Sequence, residues 1–384
     1  MEHYAGIDVS LDTVSVCIVD GTGKVLLEAK VVCEPAALVT WFRKLDFVPE
    51  RIGMEAGPLS QWLHAGMREE GFAVELLETR HVRTAFKTMP VKTDRKDARG
   101  IAQLMRMGWF RPVHCKSVHA QEMRALLTTR KLVLNKRIDI EMGLRGILRG
   151  FGLKIGPTTP RTFEARAREL VDGHATLLAV AEALLVARST LVAQLKGLEI
   201  RLVHLARDDT RARLLMSAPG VGAIVSLTYV SAIDDPGRFK SSKAVGPHFG
   251  LTPKRYQSGE TDVTGRISKT GDAGVRAALY EAANVILTRP VKGSTLKSWA
   301  ARLAARVGMR KAKVALARKL AVILHRMLAD GTTFVADKAA ARAARWKRDN
   351  TDSGSEGHQL PEARSRRRDD GSGQAATDEA APHG

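Results

Sequence analysis

A carboxylate stands at the centre of an otherwise apolar strand. Residues 3–33, HYAGIDVSLDTVSVCIVDGTGKVLLEAKVVC, alternate and cluster Val, Ile and Leu around the turn DGTGK, a pattern that predicts a β-hairpin with a third strand. Asp8 falls in the middle of the opening strand YAGIDVS, where a charge is costly without a partner. A bound cation would be such a partner. Gly21-Thr22-Gly23-Lys24 lacks the longer Gly-rich spacing that precedes the Lys of a phosphate loop, so it reads as a turn between strands.

Two further acidic sites share this character. Glu55 ends the short strand RIGMEAG, just before a Gly-Pro turn and a helix expected near Leu59, so it lies at a strand's C-terminal edge. Asp94 and Asp97 lie in VKTDRKDARGIAQLMRMG, three residues apart in the first turn of a predicted helix, on one face and at the end where negative charge suits the helix dipole. Alone, that pair is equally well an N-cap with a first-turn acid. Strand-centred Asp, strand-end Glu and a helix Asp pair, separated by βα units, follow the chain order of an RNase H-like nuclease core. Such a core needs several carboxylates because two hard divalent cations clamp the attacking and leaving oxygens of an in-line phosphoryl transfer. Oxygen ligands select Mg2+ or Mn2+. The nearby Arg80, Arg83, Lys87, Lys92, Arg95 and Lys96 would meet a nucleic-acid backbone, although a solvated loop explains any one of them.

Charge supports a polyanionic partner. Lys+Arg 61 against Asp+Glu 41 gives a formal net charge of +20 over 384 residues. From residue 331 the chain is poor in large apolar residues and carries as many basic as acidic groups, so residues 331–384 are expected to be a disordered tail and the excess charge belongs to residues 1–330. The tail's Arg364, Arg366, Arg367 and Arg368 read as a solvated patch. No uninterrupted apolar run of about 18 residues and no signal-like N-terminus is present, so a cytoplasmic, nucleoid-associated location without a membrane is expected. Cys17, Cys33 and Cys115 are scattered without CxxC spacing and read as packing residues in a reducing compartment.

The middle of the chain is helical from Gln121 to Leu148 and from about Phe163 to Leu205, with the break GFGLKIGPTTPRT between. Leu177, Leu184, Leu191, Leu198 and Leu205 recur every seven residues, and Ala181, Leu195 and Leu202 fill complementary positions that Arg188 interrupts. This predicts an imperfect coiled-coil seam through which chains associate as a dimer or tetramer, the alternative being a hairpin packing on itself.

Beyond it, Pro219-Gly220-Val221-Gly222 joins two apolar helical runs, a helix-hairpin-helix signature in which Gly220 and Gly222 would let backbone N–H groups reach a DNA phosphate. Arg302, Arg306 and Arg310, at four-residue steps, predict a basic stripe on one helix. Lys254, Arg255, Arg266 and Lys269 add basic candidates around PKRYQSGET. Local chemistry makes Ser258 in that stretch an ordinary turn serine.

The set GIDVS, GMEAG, KTDRKDA, PGVG and RFKSSKAVGPHFGLTPKRYQSGE…GRISKTGDAGVRAALY resembles the DEDD transposases of bacterial insertion sequences, the group that includes the Piv-type DNA invertases. The resemblance covers about residues 3–330. It implies an α/β RNase H-like (RuvC-like) catalytic domain at 1–118 and an α-helical coiled-coil spacer at 119–210. A mainly α C-terminal transposase domain with the helix-hairpin-helix element would follow at 211–330. It implies a recombinase acting on donor and target DNA duplexes and guided by a bridge RNA. Asp8, Glu55, Asp94 and Asp97 match the family's four acids, and Ser258 matches its nucleophilic serine. Ser241 and Ser242 fall outside the matched Ser-Gly motif, and Pro247-His248 departs from the family's usual small and aromatic residues. Two other activities compete with recombination: a metal-dependent, Holliday-junction-type endonuclease that uses water in place of Ser258, and a non-catalytic nucleic-acid scaffold.

Overall fold

A computed structural model describes residues 2–88, 93–290 and 295–336, so Lys92 and the tail from residue 337 onward lie outside the described residues. Residues up to Phe334 form one compact unit. Its first layer grows from the apolar strands at the N-terminus. β1 (His3–Val9), β2 (Thr13–Asp20) and β3 (Val25–Val32) run antiparallel in succession. After α1 (Pro35–Arg43) comes β4 (Arg51–Glu55), and after α2 (Ser60–Glu69) comes β5 (Val74–Leu77). Both are parallel to the strand beside them, giving the order β3-β2-β1-β4-β5. α3 (Thr79–Ala85) and α4 (Asp94–Met107) follow. This mixed α/β sheet is consistent with an RNase H-like domain.

The two sides of the sheet bury different cores because side chains alternate along each strand. Ala5, Ile7, Ile52 and Met54 pack against Leu38 and Phe42 of α1 and Leu63 and Met67 of α2. Tyr4, Cys17 and Val19 pack against Ala98, Ile101, Ala102 and Met105 of α4. On that second side α4 lies almost on the strand backbone. A Cβ at Gly6 would stand 2.2 Å from the Ala98 carbonyl oxygen, and one at Gly53 2.5 Å from the Met105 sulfur. Only glycine admits that approach.

α5 (Val118–Gly150), α6 (Phe163–Val171) and α7 (Ala175–Asp208) make the helical middle. The helix expected to run continuously from Phe163 is broken at Asp172-Gly173-His174, with Gly173 at φ 78°. α5 and α7 run antiparallel, cross-linked by Arg130–Glu199 at 2.6 Å and Arg188–Glu141 at 2.8 Å. Ala181, Arg188, Leu195 and Leu202 are buried every seventh residue, whereas Leu184, Leu191 and Leu198 are half-buried. The surface that meets the seam here belongs to the same chain. Arg188 therefore does not interrupt the pattern. It is 2% exposed, bonded to Glu141, Glu164 and the Pro160 carbonyl, and packed on the Phe163 ring. By length and composition alone α7 could cross a membrane; here α5 and α6 pack along it around this ion cluster.

The helical hairpin is rooted in the C-terminal core, to which Met123 of α5 and Leu202 and Ala206 of α7 contribute. That core is built by α8 (Thr210–Met216), α9 (Ala223–Ile233), α10 (Val245–His248), α11 (Ala273–Thr288), α12 (Thr295–Val307) and α13 (Met309–Asp330). Between α10 and α11 the chain forms β6 (Pro253–Ser258) and β7 (Thr261–Ile267), a hairpin absent from the sequence expectations. Gly308, at φ 84°, separates α12 from α13, so Arg302 and Arg306 lie on one helix and Arg310 on the next, and the expected single stripe does not exist.

Candidate active site

The sheet brings acids together at one edge. Ile7 and Met54 are the last paired residues of parallel β1 and β4, so Asp8 and Glu55 stand next to each other one step further along. Asp8 shares a strand face with Gly6, and Glu55 with Gly53, so both project from the side covered by α4. α4 runs opposite to these strands, since Arg51 at the start of β4 donates to the carbonyl of Met105 near the helix's end. Its N-terminus therefore lies over the strand ends that carry Asp8 and Glu55. Asp94 and Asp97 continue the inward stripe of Ala98, Ile101 and Met105 into the first turn. Asp97 is half-buried, as are Asp8 and Glu55, while Asp94 is exposed at the helix's first residue. The start of α4 is fixed by Thr93, whose hydroxyl accepts from the Lys96 amide at 3.2 Å.

Carboxylates are the donors that a hard divalent cation requires. Yet among the described residues no three acidic, His or Cys side chains stand together as a group able to hold a metal. The donor chemistry fits, and the fold carries the donors to one edge without closing them into a cluster.

A fifth acid, not singled out in the sequence, secures α4. Glu28 of β3 accepts from Arg95 and from Arg99, the latter's Nη2 at 2.8 Å, and these two guanidiniums, Arg99 first, hold its carboxyl down to about 2. Arg95 is thus bonded within the protein, although it remains largely exposed. Arg80, Arg83 and Lys87 are exposed on α3 and the turn after it, and Lys96 on α4.

One carboxylate gathers several of the bonds at the junction of the sheet and the helical part. Asp234, at the C-terminus of α9, has φ 60° and ψ −77°, an unfavourable conformation for a residue with a Cβ. Its side chain accepts from His114 Nε2 at 2.8 Å, the Ser117 amide at 2.8 Å and the Ser117 hydroxyl at 2.6 Å. Burial pushes its pKa up, but these donors hold it below the usual carboxylate range. Ser117 also caps α5, its Oγ accepting from the Ala120 amide. Beside it Lys116 donates to the Ala232 carbonyl, and burial followed by the repulsion of Arg124 and Arg238 lowers its pKa to about 8. Pro247 and His248 are exposed on α10, where partial desolvation, then Arg238 and Lys116, lowers His248 to about 4, so it is a neutral imidazole at pH 7.

Ser258 is the last residue of β6 and pairs with Thr261 across a two-residue turn, where Gly259 has φ 54°. The hairpin is exposed almost throughout, and the extensive packing of each strand is with the other. Ser258 is therefore held out at an exposed hairpin tip. Arg255 is bonded to Asp262, at 2.8 and 2.6 Å, while Lys254, Arg266 and Lys269 are exposed. The turn between α8 and α9 treats its glycines differently from the expectation. Gly220, at φ 75°, presses on α11, where a Cβ would stand 2.6 Å from the Ala282 carbonyl oxygen, and only Gly222 faces open space.

Comparison with known proteins agrees with this layout. A family model described as Transposase, for the DEDD type of IS110, matches residues 5–152, and one described as Transposase IS116/IS110/IS902 family matches residues 212–297. The chain is 29% identical over 339 residues to the transposase for insertion sequence element IS1111A of Coxiella burnetii, covering 86% of this chain and 90% of that protein. It is 25% identical over 289 residues to the transposase for insertion sequence element IS1328 of Yersinia enterocolitica, covering 74% and 85%. The first match takes in the sheet with its acids and the second spans α8 to α11 with the serine hairpin, in one chain and in the relatives' order; the chain belongs to the IS116/IS110/IS902 family of insertion-sequence transposases, enzymes that cut and transfer DNA.

Proposed function

We propose that the chain cuts and exchanges DNA strands with four acids and a serine. The observation that carries this is the convergence of Asp8, Glu55 and the first turn of α4 at one edge of the sheet. Asp8, Glu55 and Asp97, with Asp94, would hold Mg2+ or Mn2+. When bound, such a cation polarises a phosphate oxygen and stabilises negative charge developing in the transition state. Ser258 Oγ then attacks the scissile phosphorus, a phosphoserine ester forms as the bond from phosphorus to the deoxyribose oxygen breaks, and that oxygen leaves as a hydroxyl after gaining a proton. Religation to a second strand reverses the step and frees the serine. Drawing four carboxylates onto metal, and bringing the exposed hairpin to them, would both accompany DNA binding.

The rest of the assembly follows from the family resemblance and the charge. The exposed cations of α3, α4, β6, β7, α12 and α13 would hold donor and target duplexes and a bridge RNA. The half-buried leucines of α7 would complete a coiled coil in a dimer or tetramer, and the α8–α9 turn would grip phosphate as a helix-hairpin-helix through Gly222. A cytoplasmic, nucleoid-associated location suits these partners. The exposed hairpin also favours a second reading, a structure-specific endonuclease in which water attacks and Ser258 is idle.

One experiment separates the two. Purified protein, its co-purifying RNA and DNA carrying the element's ends are assayed for covalent protein–DNA adducts and for strand exchange. Asp8→Ala is expected to abolish Mg2+-dependent cleavage, and Ser258→Ala to abolish adducts and exchange with binding retained. Cleavage by Ser258→Ala at the wild-type rate, with no adduct in either protein, would leave the endonuclease.

A further inference from the structure

The geometry points to Tyr256 as the residue that positions the DNA strand for cutting, by stacking its ring on the base next to the scissile phosphate; this rests on the reading of Ser258 as the attacking group. The β6–β7 hairpin has two unlike faces. The register Tyr256↔Val263 and Ser258↔Thr261 puts Lys254, Tyr256 and Ser258 with Thr261, Val263 and Gly265 on one side. Arg255, Gln257, Asp262 and Thr264 occupy the other, which is closed by the Arg255–Asp262 pair.

On the serine's side the ring of Tyr256 is 60% exposed and Val263 54% exposed. A Cβ at Gly265 would come within 3.7 Å of the Tyr256 ring, so the ring lies over a residue without a side chain and keeps its outer side open. Two residues along a strand span about 7 Å, a separation suited to holding a phosphate at Ser258 and its neighbouring base at Tyr256. Charge selects the occupant. Lys254, Arg266 and Lys269 are exposed on or beside the hairpin, and a chain of net charge +20 favours a phosphate polymer. A protein partner would call for a broader apolar centre than one tyrosine and one valine, whereas a base needs a single aromatic ring with an open face.

Tyr256 also pairs with Val263 across the hairpin, and that alone stabilises a strand pair. Substitutions separate the two roles. Tyr256→Ile keeps a β-favouring partner for Val263 and removes the aromatic face, while Tyr256→Phe and Tyr256→Trp keep the face. Full-length proteins are assayed for strand exchange on DNA carrying the element's ends, and for photocrosslinking to the same DNA with 5-bromouracil beside the cut, the crosslinked peptide being identified by mass spectrometry.

The expected result is exchange within about twofold of wild type for Phe and Trp and a loss of roughly tenfold or more for Ile. Crosslinks should fall on Tyr256 in wild type and persist in Ser258→Ala. Wild-type exchange by Tyr256→Ile, or crosslinks that map outside residues 253–267, would overturn the proposal, as would an equal loss in the Phe, Trp and Ile variants. If Ser258→Ala instead exchanges strands normally while Tyr256 still crosslinks, the nucleophile reading fails and the stacking role stands.

Discussion

The acids and the serine are held in opposite ways. Asp8 and Glu55 sit on strands pressed against α4 so closely that a Cβ at Gly6 would meet the helix backbone and one at Gly53 the Met105 side chain, and α4 is tied down again by Glu28 to Arg95 and Arg99. Ser258 sits on a two-stranded hairpin that packs on itself and is exposed on both faces. An isolated hairpin of this size has little stability of its own. The acid edge is placed by folding, whereas Ser258 is carried on strands that little else packs against. In the proposed reaction, a serine on an exposed hairpin takes its position from the DNA it attacks.

The largest effect should come from breaking the packed half. Gly6→Val drives a side chain into the α4 backbone and is expected to destabilise the sheet by about 3 kcal/mol or more, by the cost of overpacking. Chemical denaturation followed by circular dichroism checks it. A variant as stable as wild type would mean that α4 does not lie on β1. Arg188→Met should cost a comparable amount, about 3 kcal/mol, because Glu141 and Glu164 lose their shared partner. Loss of α5–α7 protection in hydrogen exchange, with the sheet's protection intact, would locate that cost.

Glu28→Gln tests the tie on α4 with a smaller effect whose sign depends on pH. Glu28 has a folded pKa depressed to about 2 from an ordinary 4.5, so its contribution is fully present above 4.5 and is lost as pH falls toward 2. The stability gap between wild type and variant should be constant near neutrality and close between those values. A gap unchanged at pH 3 would mean that the Arg95 and Arg99 pairs carry no weight. Smallest in global terms is Gly259→Ala. The turn's φ of 54° makes alanine unfavourable there by about 1 kcal/mol, but the cost falls on the hairpin alone. Unfolding of the whole protein should be unchanged while strand exchange slows. A shifted global midpoint would show the hairpin to be part of the core.

What could be read from the sequence divides along the same line. Asp8 in its apolar strand, Glu55 at a strand end and the start of α4 at Asp94 leave one-dimensional marks: an apolar run, a Gly-Pro turn and a capped first turn. The β6–β7 hairpin leaves none, because strands exposed on both faces show no apolar alternation, and only the Ser-Gly turn betrayed it. Gly6 and Gly53 looked ordinary since close approach of a helix is a property of the tertiary fold. Arg188 looked like an interruption because its partners lie 47 and 24 residues away in the chain. The supposed arginine stripe ignored Gly308, whose left-handed turn restarts the helix. Asp234 carried no signal at all.

That last residue sets a direction. Ser117 hands its hydroxyl and amide hydrogens to Asp234 while its Oγ receives the amide of Ala120, so one residue both caps α5 and ties it to the end of α9. α5 is 33 residues long, about 50 Å at 1.5 Å per residue. Over such a lever a tilt of about 5° at the pin carries the far end through roughly 4 Å, more than a hydrogen bond spans. The rod's direction is thus set at its base by a serine and an aspartate together with the packing of α5 on α7 and α9, and Ser117→Ala would loosen that base while leaving the α5–α7 seam intact.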